Sequence, residues 1–242
     1  MGFAWSVSLD LRRRSKMNPG HAAAARFSSK RFLHGYARGK TAWDPAYPAM
    51  ADRLRGSSRP ILDIGCGVGL LAAYLRESGC MQRILGIEPD AAKVALAKKH
   101  VEPFYPGVVF HTGTAENLPE SFGDVVMLDV LHYMESDVQR GVLDAIAVRL
   151  LPGDRVFVRT TFRDGSLRYG ATMIEEAVVR LSGWIRGGRC IFPTREEVCR
   201  PFQERGYHVT VRPMWGWTPF NSHLVEVSSK PIDQPANSSQ RA

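Results

Sequence analysis

Pro60-Ile61-Leu62-Asp63-Ile64-Gly65-Cys66-Gly67-Val68-Gly69-Leu70-Leu71 is the stretch on which the fold turns. Pro60 to Ile64 is a short apolar run of strand character, and from Gly69 to Ser78 the apolar residues Leu70, Leu71, Tyr74 and Leu75 follow helical spacing as far as Gly79. Between them lie three glycines. A glycine-rich turn from strand to helix lets a ligand approach the backbone closely and presents amide N–H groups to it. Spacing separates the ligands: a dinucleotide turn, GxGxxG, needs glycine at position 70, where the chain has Leu70. Taken alone, the triplet Gly65, Gly67, Gly69 is equally a tight turn with no ligand.

The next strand, Arg83 to Ile87, narrows the choice. Leu85-Gly86-Ile87-Glu88 puts a carboxylate at its C-terminal end, beside the glycine loop, where it can accept two hydrogen bonds from vicinal ribose hydroxyls. Pro89-Asp90 then opens a helix, Ala91 to Val101. At this point the chain resembles the class I S-adenosylmethionine (SAM) dependent methyltransferases, whose first motif matches Ile61 to Leu70 and whose acidic second motif matches Glu88. The match continues through His111-Thr112-Gly113-Thr114-Ala115-Glu116-Asn117-Leu118-Pro119, through Asp124-Val125-Val126-Met127-Leu128-Asp129-Val130-Leu131-His132-Tyr133, and through Leu150-Leu151-Pro152-Gly153-Asp154.

The resemblance implies a Rossmann-like α/β fold: a seven-stranded, mostly parallel sheet with a C-terminal antiparallel hairpin and an insertion after strand five. It implies SAM as cofactor, with the Gly65, Cys66, Gly67 and Gly69 backbone along its methionine part, Glu88 on the ribose, and the Thr114 segment over the adenine. Thr114 replaces the family's usual Asp, which leaves the Ala115 amide for adenine N1 and Glu116 as a substitute acceptor. Asp63, Pro89, Asp129 and Val130 complete the set. Tyr36 and Lys40, in Tyr36 to Trp43, stand where relatives carry a cofactor-covering segment; an exposed surface loop is the alternative.

Along the chain, strands alternate with helices as right-handed βαβ units require. Strands are expected at Val108–His111, Asp124–Leu128 and Arg155–Thr160, with a helix at Ser136–Leu150. Upstream, residues 21–58 read as a helical cover, with a helix from His21 to Leu33 broken by Gly35 and Gly39 and a second helix after Asp44 and Pro45. Downstream, Thr194-Arg195-Glu196-Glu197 is an N-cap with an acidic first turn, and that helix is expected to end at Gly206. Tyr207–Arg212 and Asn221–Val227 read as the hairpin. Residues 59–228 thus form the methyltransferase domain, 161–193 its lid insertion with a helix from Leu167 to Leu181, 1–20 a basic disordered leader, and 229–242 a disordered tail. Met17 would serve as a start as well as Met1.

At 242 residues the chain can bury a full core, and its 44% hydrophobic and 23% charged content is ordinary. The net charge of +8 is unevenly placed: residues 1–59 hold twelve Lys and Arg against three Asp and Glu, while residues 60–160 hold nine against thirteen. The basic leader is either solvated or attracted to an anionic partner such as nucleic acid, lipid headgroups or an acidic carrier protein. Cys66, Cys80, Cys190 and Cys199 show neither CxxC pairing nor zinc-ligand spacing, so no metal is expected and the thiols read as reduced in a cytoplasmic protein. No apolar run reaches the roughly 18 residues of a membrane span.

Methyl transfer needs a nucleophile held in line, and a hydroxyl acceptor gains from a base at neutral pH. His132, beyond the fourth strand, is the candidate base, with a purely positioning role as the alternative; Tyr133 orients the acceptor or packs on the cofactor. Arg163, Arg168, Tyr169, Met173, Trp184 and Arg189 of the insertion are candidate readers of the acceptor, and His223 reads as structural. The chain lacks the Asn-Pro-Pro-aromatic motif of nucleobase amino methylation, and its Val130-Leu131-His132 exit resembles small-molecule methyltransferases acting on oxygen or carbon. Gly39 to Tyr47 is similar to enzymes of polyketide- and aryl-polyene-type pathways, which implies an aryl acceptor on an acidic carrier. An RNA or protein methyltransferase, and a SAM-binding protein without catalysis, are the other readings; the leader's lack of aromatic-basic interleaving disfavours nucleic acid.

Overall fold

The structure is a computed structural model and describes residues 18–116, 118–120, 122–181, 190–216 and 219–229, with backbone alone for 175–181. Residues 1–17 of the expected leader, nearly all of the tail, Asn117, Trp184 and Arg189 lie outside the described residues, whereas residues 18–20, expected in that leader, cap and open the first helix.

Among the described residues three helices precede the sheet: α1 (Pro19–Ala25), α2 (Arg31–Trp43) and α3 (Ala46–Leu54). Asn18 accepts the Gly20 N–H at 2.8 Å and Pro19 occupies the first turn, where its missing N–H is harmless. Small residues let α1 and α2 approach closely: a Cβ built on Gly20 would lie 2.8 Å from Thr41 Cβ. Arg26, just past α1, bonds both Glu77 and the Tyr105 hydroxyl at 2.9 Å, tying the cover to the core.

Helix α2 runs straight through Gly35 and Gly39, which were expected to break it, so the Tyr36–Trp43 segment is helical rather than a loop. An isolated glycine costs only about 1 kcal/mol relative to Ala in a helix, and burial of Leu33 and Ala37 offsets it. The break falls earlier, at residues 26–30, around the fully buried Phe27.

The sheet contains β1 (Ile61–Ile64), β2 (Ile84–Glu88), β3 (Val108–Thr112), β4 (Asp124–Leu128), β5 (Arg155–Thr161), β6 (His208–Pro213) and β7 (Ser222–Ser228), in the order β3-β2-β1-β4-β5-β7-β6. The first five are parallel, and β7 lies antiparallel between β5 and β6. Helices α4 (Leu70–Glu77) and α5 (Ala91–His100) pack with the cover, while α6 (Ser136–Arg149) and α8 (Arg195–Gln203) cover the other face; α7 (Leu167–Leu181) follows β5.

Side chains alternate between the faces with period two. Ile61, Val126 and Phe157 join Met50, Leu54 and Leu75 on the cover side; Leu62, Ile64, Val125, Met127, Val156 and Val158 join Val142, Ile146 and Phe202 on the other. Asp63 and Arg159, each two residues beyond a cover-side residue, therefore sit in the cover-side layer at the carboxyl ends of their strands. The strand order reverses between β1 and β4, and ligands of open α/β sheets occupy the crevice at such a reversal.

Helix α8 has the expected capping box, with Thr194 and Glu197 each accepting the other's backbone N–H, but ends at Gln203 rather than Gly206. The Tyr207 N–H donates to Phe202 O at 3.1 Å and closes the turn beyond it. Asn221 precedes β7 instead of opening it, because its side-chain amide donates to Phe162 O and to Asp164. Among the described residues no helix is long and apolar enough to cross a membrane.

Candidate functional site

The glycine loop hangs from the end of β2: the Gly65 and Cys66 N–H groups both donate to Ile87 O, at 2.7 and 3.1 Å. Gly65 sits at φ +75°, and a Cβ there would overlap Val130 Cγ2, so the loop and the exit of β4 touch with no room for a side chain. Gly67, at φ +56°, has open space where its Cβ would be and donates its N–H to Glu88 Oε2 at 3.0 Å. Glu88 Oε1 accepts from the Asp90 N–H at 3.1 Å, and Asp90 caps α5. Glu88 is thus fixed against the loop by two backbone donors.

Asp63 is buried, and its Oδ2 has no hydrogen-bond partner among the described residues. Burial, and then the negative charge of Glu88, push its carboxyl up to about 7. A buried unpaired carboxylate is costly, and one lining a cavity fits a cationic ligand. No group of three His, Cys, Asp or Glu among the described residues could hold a metal ion instead. The same burial and neighbouring carboxylates push the Cys66 thiol up.

A cavity of about 1310 Å³ runs from this loop to the far side of β5. Pockets for one drug-sized ligand run about 300–1,000 Å³, so it has room for a cofactor and an acceptor together. It brings together every sequence-expected cofactor residue except Gly69: Asp63, Gly65, Cys66, Gly67, Glu88, Pro89, Thr114, Ala115, Glu116, Asp129, Val130, Tyr36 and Lys40, with His132 and Tyr133. Gly69 lies beneath instead, where a Cβ would meet the Phe110 ring at 2.6 Å. Gly113 N–H donates to Glu88 O at 3.1 Å, which holds Thr114 and the buried Ala115 beside the second strand.

His132 is only 3% exposed, with its ring 4.1 Å from Tyr133 and stacked on Phe192 at 5.0 Å. Its carbonyl accepts the Ile191 N–H at 2.9 Å, joining the β4 exit to the returning end of the insertion. Tyr133 is 41% exposed.

The insertion's candidate readers separate. Tyr169 meets Phe192 edge-on and Arg168 lies 4.2 Å above the Trp215 ring. Arg163 lines a second, 440 Å³ cavity with Thr194, Arg195 and His223, away from the large one. Met173 is 41% exposed and lines neither, whereas Thr172 does line the large cavity. His223 Nδ1 lies 3.0 Å from Asn221 O between the Phe162 and Trp215 rings, a packed position.

Sequence reasoning missed Asp44 and Arg159 as members of this site, and the aromatic wall of Trp43, Trp215 and Phe220 with Met134 and Met214. Arg159 carried a signal: a charge inside the buried strand Val156-Phe157-Val158-Arg159-Thr160. Pro45 takes the N-cap place expected for Asp44; from one position before it Asp44 accepts the Ala46 N–H at 3.0 Å, and Arg159 also pairs with it.

Residues 61–153 match the family model described as a methyltransferase domain. A ubiquinone biosynthesis O-methyltransferase of Nitrobacter winogradskyi is 28% identical over 165 residues, 66% of this chain and 60% of the relative. The same-named protein of Bradyrhizobium sp. (strain ORS 278) is 32% identical over 43% of this chain and 40% of the relative, so the chain spans less than two thirds of the length of these relatives. Neither is named for a polyketide or aryl polyene pathway. Among solved structures, magnesium protoporphyrin IX methyltransferase of Synechocystis with bound SAH, the demethylated form of SAM, aligns with a TM-score of 0.59 at 19% identity, covering 76% of this chain and 82% of that one. A Thermotoga maritima SAM-dependent methyltransferase aligns with a TM-score of 0.57 at 21% identity, covering 85% and 99%. With the strand order, the glycine loop and the domain match in agreement, residues 61–153 are a methyltransferase domain with the class I SAM-dependent fold, and the cofactor of that domain is SAM.

Proposed function

We propose that the protein transfers a methyl group from SAM to a hydroxyl of an aromatic small molecule. The observation that carries this reading is the continuous cavity that joins Asp63, the glycine loop and Glu88 to His132, Tyr133 and an aromatic wall. Bound SAM supplies an electrophilic sulfonium methyl. Glu88, already oriented by two amides, would accept from the ribose hydroxyls. Asp63 would offset the cofactor's positive charge, and the Ala115 amide would serve the adenine. On the other side, Trp43, Tyr133, Met134, Trp215 and Phe220 offer ring faces and soft apolar surface to an aromatic acceptor. His132 receives the hydroxyl proton, which favours oxygen over carbon as the accepting atom. The relatives named as O-methyltransferases of ubiquinone biosynthesis support the same choice.

The test is incubation of the full chain with SAM and a panel of catechols, phenols and matched non-hydroxylated aromatics, read by mass spectrometry. Methylation of hydroxylated members alone is expected. Turnover of a peptide or RNA pool, with every small molecule inert, would overturn the reading.

A further inference from the structure

Beside the cofactor loop stands a charge cluster centred on the buried Arg159. Arg159, 5% exposed at the carboxyl end of β5, uses its guanidinium on two carboxylates at once. Its Nη2 donates to Asp44 Oδ2 at 2.9 Å and its Nε to Asp129 Oδ1 at 3.0 Å, with a second short contact to each. Lys40 Nζ lies 3.0 Å from Asp44 Oδ2 and 4.0 Å from Asp129 Oδ2, so two cations face two anions and the cluster is neutral. Burial opposes the charges of Arg159, Lys40 and Asp44. The pairing nevertheless prevails: Arg159 and Lys40 are held charged, and Asp44 falls well below the usual carboxylate range.

The cluster joins three parts of the site. Asp44 is the hinge between α2 and α3 of the cover. Asp129, at the exit of β4, is the sole non-glycine residue with positive φ among the described residues, at +59°, a left-handed conformation that costs about 1–3 kcal/mol outside glycine. Its N–H donates to Arg159 O at 3.0 Å, so backbone and side chain of Arg159 together hold that turn. The turn in its place sets Val130 against Gly65 of the glycine loop.

We propose that Arg159 is a positioning residue for cofactor retention, a latch that clamps the α2–α3 cover to the β4 exit through Asp44 and Asp129 and so keeps the donor pocket closed. It rests on the assignment of SAM to the glycine loop, not on the identity of the acceptor. Only Arg can bridge the two sides in this way, because its planar fork serves two carboxylates, whereas Lys offers a single point charge.

Three variants of the full chain test it: Arg159→Lys, Asp44→Asn, and, should Arg159→Lys fail to fold, the charge-balanced double Arg159→Met/Asp44→Asn, which removes one cation and one anion together and leaves Lys40 facing Asp129. SAH is the probe. Its dissociation rate is measured by stopped flow, its Kd by calorimetry, and protease cleavage within residues 31–46 with and without SAH reports the cover. If the closed cover falls to a tenth of the population, Kd rises about tenfold. Faster SAH release by about tenfold or more is expected in each folded variant, with cover cleavage no longer suppressed by SAH and the cleavage pattern of the sheet unchanged. Wild-type release rates and wild-type SAH protection in a folded variant would overturn the latch. Failure of wild-type protein to bind SAH would instead overturn the cofactor assignment beneath it.

Discussion

Val130 Cγ2 occupies the space that a Cβ on Gly65 would need, so the exit of β4 and the cofactor loop share one packing contact. Alanine at position 65 meets both that clash and a φ of +75°. Strain and overpacking together cost roughly 2–6 kcal/mol. Gly65→Ala is therefore expected to lower the melting temperature and to abolish SAH binding in whatever fraction folds. Unchanged affinity would show that the loop does not need the contact.

Glu88 makes the second commitment. Its carboxylate is set by Gly67 and Asp90, and hydrogen bonds to charged groups are worth about 1.5–3 kcal/mol. Glu88→Ala is expected to weaken SAH binding by about 10- to 150-fold, the same energy expressed as a ratio. Calorimetry with adenosine, which keeps the ribose diol and lacks the methionine, isolates that contact: its affinity is expected to fall by a similar factor.

The pH dependence follows from Asp63, whose carboxyl is pushed from 3.8 in an exposed chain to about 7. The folded protein therefore binds this proton more tightly than the unfolded chain does. The stability it contributes is present below the ordinary carboxylate range, declines as pH rises from about 4 to 7, and is constant above. Cofactor affinity runs the other way, since a cation prefers the ionised carboxylate. SAM affinity is expected to rise between about pH 5.5 and 7, with a limiting slope of about tenfold per unit, and to level off above. In Asp63→Asn the rise is expected to vanish; its persistence would point to another group.

For His132 the measurement is a pH–rate profile with a hydroxylated aromatic acceptor. A base contributes about 10²- to 10⁴-fold, so His132→Gln is expected to cost that much in kcat and to remove the acid limb of the profile. A loss of affinity alone, with the limb intact, would leave His132 as a packing partner of Phe192 and Tyr133.

The parallel core and its cofactor edge were legible because they depend on local signals: apolar runs, glycine spacing, and an acid at a strand end. Leu70 in place of glycine and Glu88 after Ile87 sufficed to choose the ligand class. The cover was legible as helical but not in its breaks, since Gly35 and Gly39 register as helix breakers until the burial of Leu33 and Ala37 is known. The latch was the least legible. Asp44 and Arg159 are 115 residues apart, and only strand pairing and the face alternation of β5 bring them together. The aromatic wall likewise draws on α2, the β4 exit and the hairpin, with no pattern shared among Trp43, Tyr133 and Trp215.

The most direct test of the central claim is titration of SAM and SAH into the full chain by calorimetry, with Glu88→Ala and Asp63→Asn alongside. One-to-one binding of both by the wild type, weakened in both variants, is the expected result. Absence of binding in the wild type, or binding indifferent to both substitutions, would contradict the assignment of the glycine loop, Asp63 and Glu88 as the methyl-donor site.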